Sequence, residues 1–193
     1  MPCRESPMLI PAEASQADDA LYVALMQVCD RSFFTLVESC DPSRFAALVK
    51  NASSDAALED AKDQEATPYR LDWLNASVAF DGTFSSGTLE IFLPARLARW
   101  LVASMLGLAL RLDDGDLVDD QQTFDGIGEF ANIVCGTWLT ELGRNQAFNL
   151  GTPAVSRVPA GWNPLAEVTT KERRQLVCIN ELPMRLVVRP AAD

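Results

Sequence analysis

Residues 120–143 (DQQTFDGIGEFANIVCGTWLTELG) constrain this chain more than any other stretch, because their apolar members recur at helical spacing. Phe124, Ile127, Ala131, Val134, Trp138 and Leu142 step by three or four, which draws a stripe down one side of an amphipathic helix. The complementary phase holds Asp125, Glu129, Asn132, Gly136 and Gly143. A carboxylate and a carboxamide three residues apart are neighbours on a helix surface, roughly 5–6 Å between Cβ atoms. Glycine costs about 1 kcal/mol inside a helix relative to alanine, yet Gly126, Gly128 and Gly136 all fall within this one. Close approach of another group is the physical reason to expect, and at Gly136 that group would be a second molecule. An acidic, glutamine-rich start suits the positive end of the helix dipole, and Gly143 suits a left-handed C-terminal cap.

Composition narrows what such a helix can serve. A chain of 193 residues, 48% of them hydrophobic, can bury one sizeable core. Its net charge of −11 argues against nucleic acid and against an anionic membrane surface, both of which require a basic stripe. There is no histidine, so no Ser-His-Asp or Cys-His arrangement and no His-ligated metal can form. Cys3, Cys29, Cys40, Cys135 and Cys178 are odd in number and scattered, which reads as free thiols in a reducing compartment. Cys29 and Cys135 fall on apolar helix faces and are expected to act as small hydrophobes. The longest apolar run, 100–110, is too short to span a bilayer, and no signal peptide is visible. A cytoplasmic protein is expected.

In chain order, residues 1–14 carry Pro2, Pro7 and Pro11 and read as a loose leader before a single domain over 15–193. A long helix is expected from Ser15, with Ser15–Asp18 as its cap, through Leu21, Leu25, Val28, Ser32 and Leu36. Asp41-Pro42 starts a short helix to about Lys50. Residues 51–68 form an acidic, flexible surface insertion with room for a short solvated helix. Leu74, Ala76, Val78 and Phe80, then Leu89, Ile91 and Leu93, alternate as two strands of a hairpin. Pro94 opens a helix over 95–106 that Gly107 caps. Residues 111–120 (RLDDGDLVDD) lack the alternate ligands and distal glutamate of a calcium loop, so a solvated loop is expected. One strand is expected over 148–158, with Pro153 where no ladder donor is needed. A loop over 159–170 and a closing hairpin over 175–189 complete an α+β fold: an antiparallel sheet with long helices packed on it.

The order Asp125-xxx-Glu129-xx-Asn132-xxx-Gly136, the local string GEFANIVCG and the downstream Thr152-Pro153 resemble the CheC/CheX family, and CheX most closely. Its members are phosphatases of the phosphorylated chemotaxis regulator CheY. In order of elements the resemblance runs from about Leu74 to Val188, and Met105-Leu106-Gly107 fits the end of the family's preceding helix. The family is built from two related halves. In the first helix here Asp30 is followed by Phe34 and Val37, where an active half would show Glu and Asn, so one active face is implied. The resemblance also implies a homodimer paired through the sheets, and a phosphorylated CheY-like response regulator as partner.

Without histidine, metal ligand or nucleophile, a Glu–Asn pair cannot form a covalent phosphate intermediate, but it can complete a site on another molecule. An aspartyl phosphate on a response regulator brings its own Mg²⁺ and lysine and lacks mainly an oriented water. Phosphoryl transfer runs through a loose transition state, so positioning and electrostatics carry the catalysis. What the resemblance implies is Asn132 orienting that water and Glu129 pairing with a partner lysine. Asp125 and Gly136 are candidate partner-binding positions, and the chain is expected to hold no metal or cofactor of its own. A non-catalytic module binding a signalling or flagellar-switch partner is the alternative. A Glu and an Asn on a merely solvated helix face are the plainer reading.

Overall fold

The computed structural model describes residues 11–33, 35–59, 72–83, 85–108, 117–142, 147–159, 162–166, 169 and 171–191. Seven strands form one antiparallel sheet in the order β1 (Val37–Ser39), β6 (Arg173–Ile179), β7 (Leu182–Pro190), β3 (Ser86–Pro94), β2 (Trp73–Gly82). The far edge of β2 is shared by β4 (Phe148–Leu150), paired to its end, and β5 (Ala154–Arg157), paired to its start. The expected hairpin pairs Val78 with Leu89 and Ala76 with Ile91, so the alternating residues of both strands enter one core. Helices α1 (Pro11–Phe33), α3 (Ala95–Met105) and α4 (Asp120–Leu142) pack on that face. Helix α2 (Pro42–Glu59) lies against β6 and β7 on the other, where Phe45, Val49, Trp73, Phe92, Leu176 and Val187 form a second cluster with Trp162.

Local chemistry explains the element ends. Asp41 Oδ1 accepts from the backbone N–H groups of Ser43 and Arg44 at 2.8 and 2.9 Å, which caps α2, and Pro42 occupies the first turn, where no N–H is needed. Gly107 takes φ +70° after α3, the left-handed stop that glycine favours. Asn180 and Glu181 turn β6 into β7 with φ of 49° and 61°, a two-residue hairpin turn whose twist matches the strands.

Several boundaries differ from expectation. Helix α1 begins at Pro11 rather than Ser15, so Ser15–Asp18 is not its cap. It ends at Phe33, and Val37 belongs to β1, paired with Ile179 and held by Tyr22, whose hydroxyl donates to the Val37 carbonyl at 3.0 Å. Val37 is therefore not a helical counterpart of Asn132, and Phe34 lies outside the described residues. Helix α2 runs past Lys50 to Glu59, because the alanine-rich start of the acidic insertion favours helix once a turn exists to extend. Residues 60–68 of that insertion, 1–10 of the leader and most of the acidic stretch before α4 lie outside the described residues. The strand expected over 148–158 is two strands, since Gly151 binds back to Ala79 (N to O, 2.8 Å) and Pro153 sits in the break with no donor to lose. Among the described residues no helix is long and apolar enough to cross a membrane.

Candidate functional site

Helix α4 lies with Ile127, Phe130, Ala131, Val134, Cys135, Trp138 and Leu139 in the main core. The buried face is wider than the expected stripe, which omitted Phe130, Cys135 and Leu139, because sheet, α1 and α3 all press on this helix. Leu142, at the stripe's far end, is exposed. Burial pushes the Cys29 and Cys135 thiols up to about 12, so both are inert apolar contacts. The outward side shows Asp125 and Glu129 exposed, with Asn132 and Gly136 half-buried beside them. Neither Glu129 nor Asn132 makes a hydrogen bond or ion pair among the described residues, so both polar ends are available. Asp125 is engaged along the helix, its Oδ1 accepting from Gln121 Nε2 at 2.9 Å.

The start of α4 is tied down by charge. Asp119 caps it, Oδ1 accepting from Gln122 N at 2.7 Å. Asp120 accepts from Arg99 of α3 at 3.1 Å and from Arg157 of β5 at 2.7 Å, and Arg157 also lies 5.9 Å above the Phe124 ring. The Arg99 hydrogen bond, with Arg157 beside it, holds the Asp120 carboxyl below its usual range. A depressed carboxyl adds stability that is present above its unfolded pKa and lost as pH falls through the folded one. Asp120→Asn should therefore be slightly less stable than wild type at neutral pH, by little because the pair is exposed, and the difference should vanish as pH falls below about 4, which leaves the variant a flatter acid limb. Equal acid limbs in variant and wild type would refute it.

Residues 74–161, from β2 past β5 and including all of α4, match the family model described as chemotaxis phosphatase CheX. Over these residues, fewer than half of its length, the chain is similar to the CheX family. Its fold is similar to that of the chemotaxis protein CheX from Desulfovibrio desulfuricans (TM-score 0.57, 16% identity, 91% of this chain and 99% of that one). It is also similar to CheX from Vibrio vulnificus (0.58, 14%, 92% and 98%) and to Thermotoga maritima FliY (0.50, 14%, 94% and 91%). At such identities the likeness is one of fold. Comparison with curated proteins gives no match.

Packing within the molecule accounts for two of the three helix glycines. A Cβ on Gly126 would lie 2.6 Å from Val102 Cγ2, and one on Gly128 would lie 3.4 Å from Pro153 Cβ. Gly136 was expected to admit a partner, but the group that a Cβ there would meet is the chain's own Leu150, at an ordinary 3.6 Å. Gly136→Ala should thus stabilise by up to about 1 kcal/mol through helix propensity. Gly126→Ala should destabilise by about 1–3 kcal/mol, because buried, β-branched Val102 cannot turn away. Urea titration of both variants checks the pair, and the same sign at both positions would refute it. No sequence pattern pointed to Arg99 or Arg157 as seats for α4, and Pro153 stood out for other reasons than its contact with this helix. Their partners lie on other elements.

Proposed function

We propose that this chain docks on a phosphorylated CheY-like response regulator through the outward side of α4 and accelerates hydrolysis of the aspartyl phosphate. The observation that carries the reading is the Glu129–Asn132 pair, set outward on a rigid helix with both polar ends unused. The opposite face of α4 is buried in the main core, so its backbone cannot shift easily when a partner presses on it. Asn132 brings a carboxamide that accepts a hydrogen bond from a water and carries no charge to repel phosphoryl oxygens. Glu129 pairs with a lysine of the regulator, and desolvation on docking strengthens that pair and fixes register. The regulator's own Mg²⁺ carries the phosphoryl charge. Water attacks phosphorus, the bond to the aspartyl oxygen breaks, and aspartate and inorganic phosphate result.

A homodimer through the sheet belongs to the same reading, supported by the outer edges of β1 and of β4–β5, which pair with no further strand among the described residues. The deciding measurement is phosphate release from a phosphorylated regulator with and without this chain. Acceleration at substoichiometric amounts is expected. Binding without acceleration would leave a docking module instead of an enzyme.

A further inference from the structure

The sheet face away from α4 buries polar groups of its own. Register sets Ser156, Asn75, Phe92, Arg185 and Leu176 in one row across β5, β2, β3, β7 and β6. Trp162 covers this row, stacked on Phe92 (centroids 4.7 Å apart, 20° between planes) and tilted against Trp73 at 5.3 Å. Among the described residues, three buried polar atoms on this face have no partner: Trp73 Nε1, Asn75 Oδ1 and Arg185 Nε. Unmet groups of this kind each call for an explanation, and three on one face call for a shared one.

Arg185 is the decisive member. It is only 4% exposed, its guanidinium lies 5.9 Å from the Phe92 and Trp162 ring centres, and Nη1 donates to the Pro164 carbonyl at 2.8 Å. No carboxylate pairs with it among the described residues. The two nearby candidates, Glu90 and Glu172, are both bonded to Arg189, and Glu172 also accepts from Thr169 N at 2.7 Å. Burial, reinforced by the positive charge of Arg174 and Arg189, lowers the Arg185 pKa. Only the more distant pull of Glu172 and Glu90, both shared with Arg189, offsets this, and a buried guanidinium without a paired carboxylate is costly in a low-dielectric interior.

We infer that Trp73, Asn75 and Arg185, on the sheet face that Trp162 packs against, form a binding site for a small oxyanion. Arg185 and Trp73 donate to its oxygens, Asn75 accepts from a hydroxyl on it, and Arg174 adds attraction from the rim. A monoprotonated phosphate has that donor and acceptor set, and so has a hydroxy-carboxylate. The site lies across the sheet from Glu129 and Asn132, so it stands or falls apart from the phosphatase reading.

The test titrates the full chain with inorganic phosphate against chloride at constant ionic strength, following tryptophan fluorescence and Tm. A saturable fluorescence change in the millimolar range or below is expected, with a parallel rise in Tm. Arg185→Met should abolish the saturable part of both, which separates it from the general stabilising effect of phosphate as an excluded salt. If Arg185→Met does not fold, Arg174→Gln carries the test, with affinity reduced several-fold. Asn132→Ala should bind phosphate like the wild type. No saturable response in the wild type, an unchanged response in these Arg variants, or a crystal structure grown in phosphate with only water on Arg185 Nε would overturn the site.

Discussion

Asn132→Ala is expected to lower the accelerated release of phosphate from a phosphorylated response regulator by about 10²-fold or more, the scale of losing one oriented polar group at a charge-developing centre. The fold should persist, because Asn132 is half-buried and bonds to nothing among the described residues, so truncation strands no partner. A stability change within about 0.5–1 kcal/mol is expected from a position of that kind. Asn132→Asp should lose as much activity in the same shape, because it sets a negative charge beside the phosphoryl oxygens. Glu129→Ala should act differently, raising KM for the regulator more than it lowers kcat, since the part proposed for it is to hold register through a lysine. Single-turnover and steady-state phosphate release distinguish these cases. Wild-type rates in both the Asn132 and Glu129 variants would remove the proposed chemistry, and a collapse of folding in either would mean that the pair is structural.

Phe130→Ala, at the residue next to Glu129, should give the opposite pattern. Phe130 is fully buried in the main core where α4 meets the rest of the molecule. Truncating a buried phenylalanine costs about 3–5 kcal/mol, part lost transfer energy and part cavity. In a chain of this size each kcal/mol moves Tm by roughly 2–4 °C, so a fall on the order of 10 °C is expected. Activity per folded molecule should fall far less than in Asn132→Ala if α4 keeps its seat. Calorimetry and urea midpoints measure the loss, and a change under about 1 kcal/mol would show that the cavity collapses or that the ring is not packed as described.

Much of the architecture was legible because its causes are local. Leu74–Phe80 and Leu89–Leu93 alternate with the period of a pleat, and those residues face one core. The helix over α4 was legible from end to end, since its apolar steps and its acidic start do not depend on distant neighbours. Where the cause lay elsewhere in the chain, the expectation slipped. Val37 looked like helix because the apolar stripe of α1 runs on into it, but pairing with Ile179 captures it in β1. The connection around Trp162 carried no periodic signal, and only packing on Phe92 and Trp73 shows it as the cover of a second core. The helix glycines were legible as a request for close approach. That Val102 and Pro153 answer it could not be read from spacing.

What the sequence alone determined is a helix with an acid and an amide one turn apart on its polar side, because the 3.6-residue period is a property of the backbone itself. What tertiary structure decided is that, among the described residues, this side is left exposed or half-buried while Phe130, Cys135 and Leu139 join the buried one, and that Arg185 lies beside an aromatic cover with no carboxylate paired to it. Coverage is set by which distant elements arrive and where they stop, and the free energy that brings them scales with buried area over the whole chain. No local pattern encodes that sum.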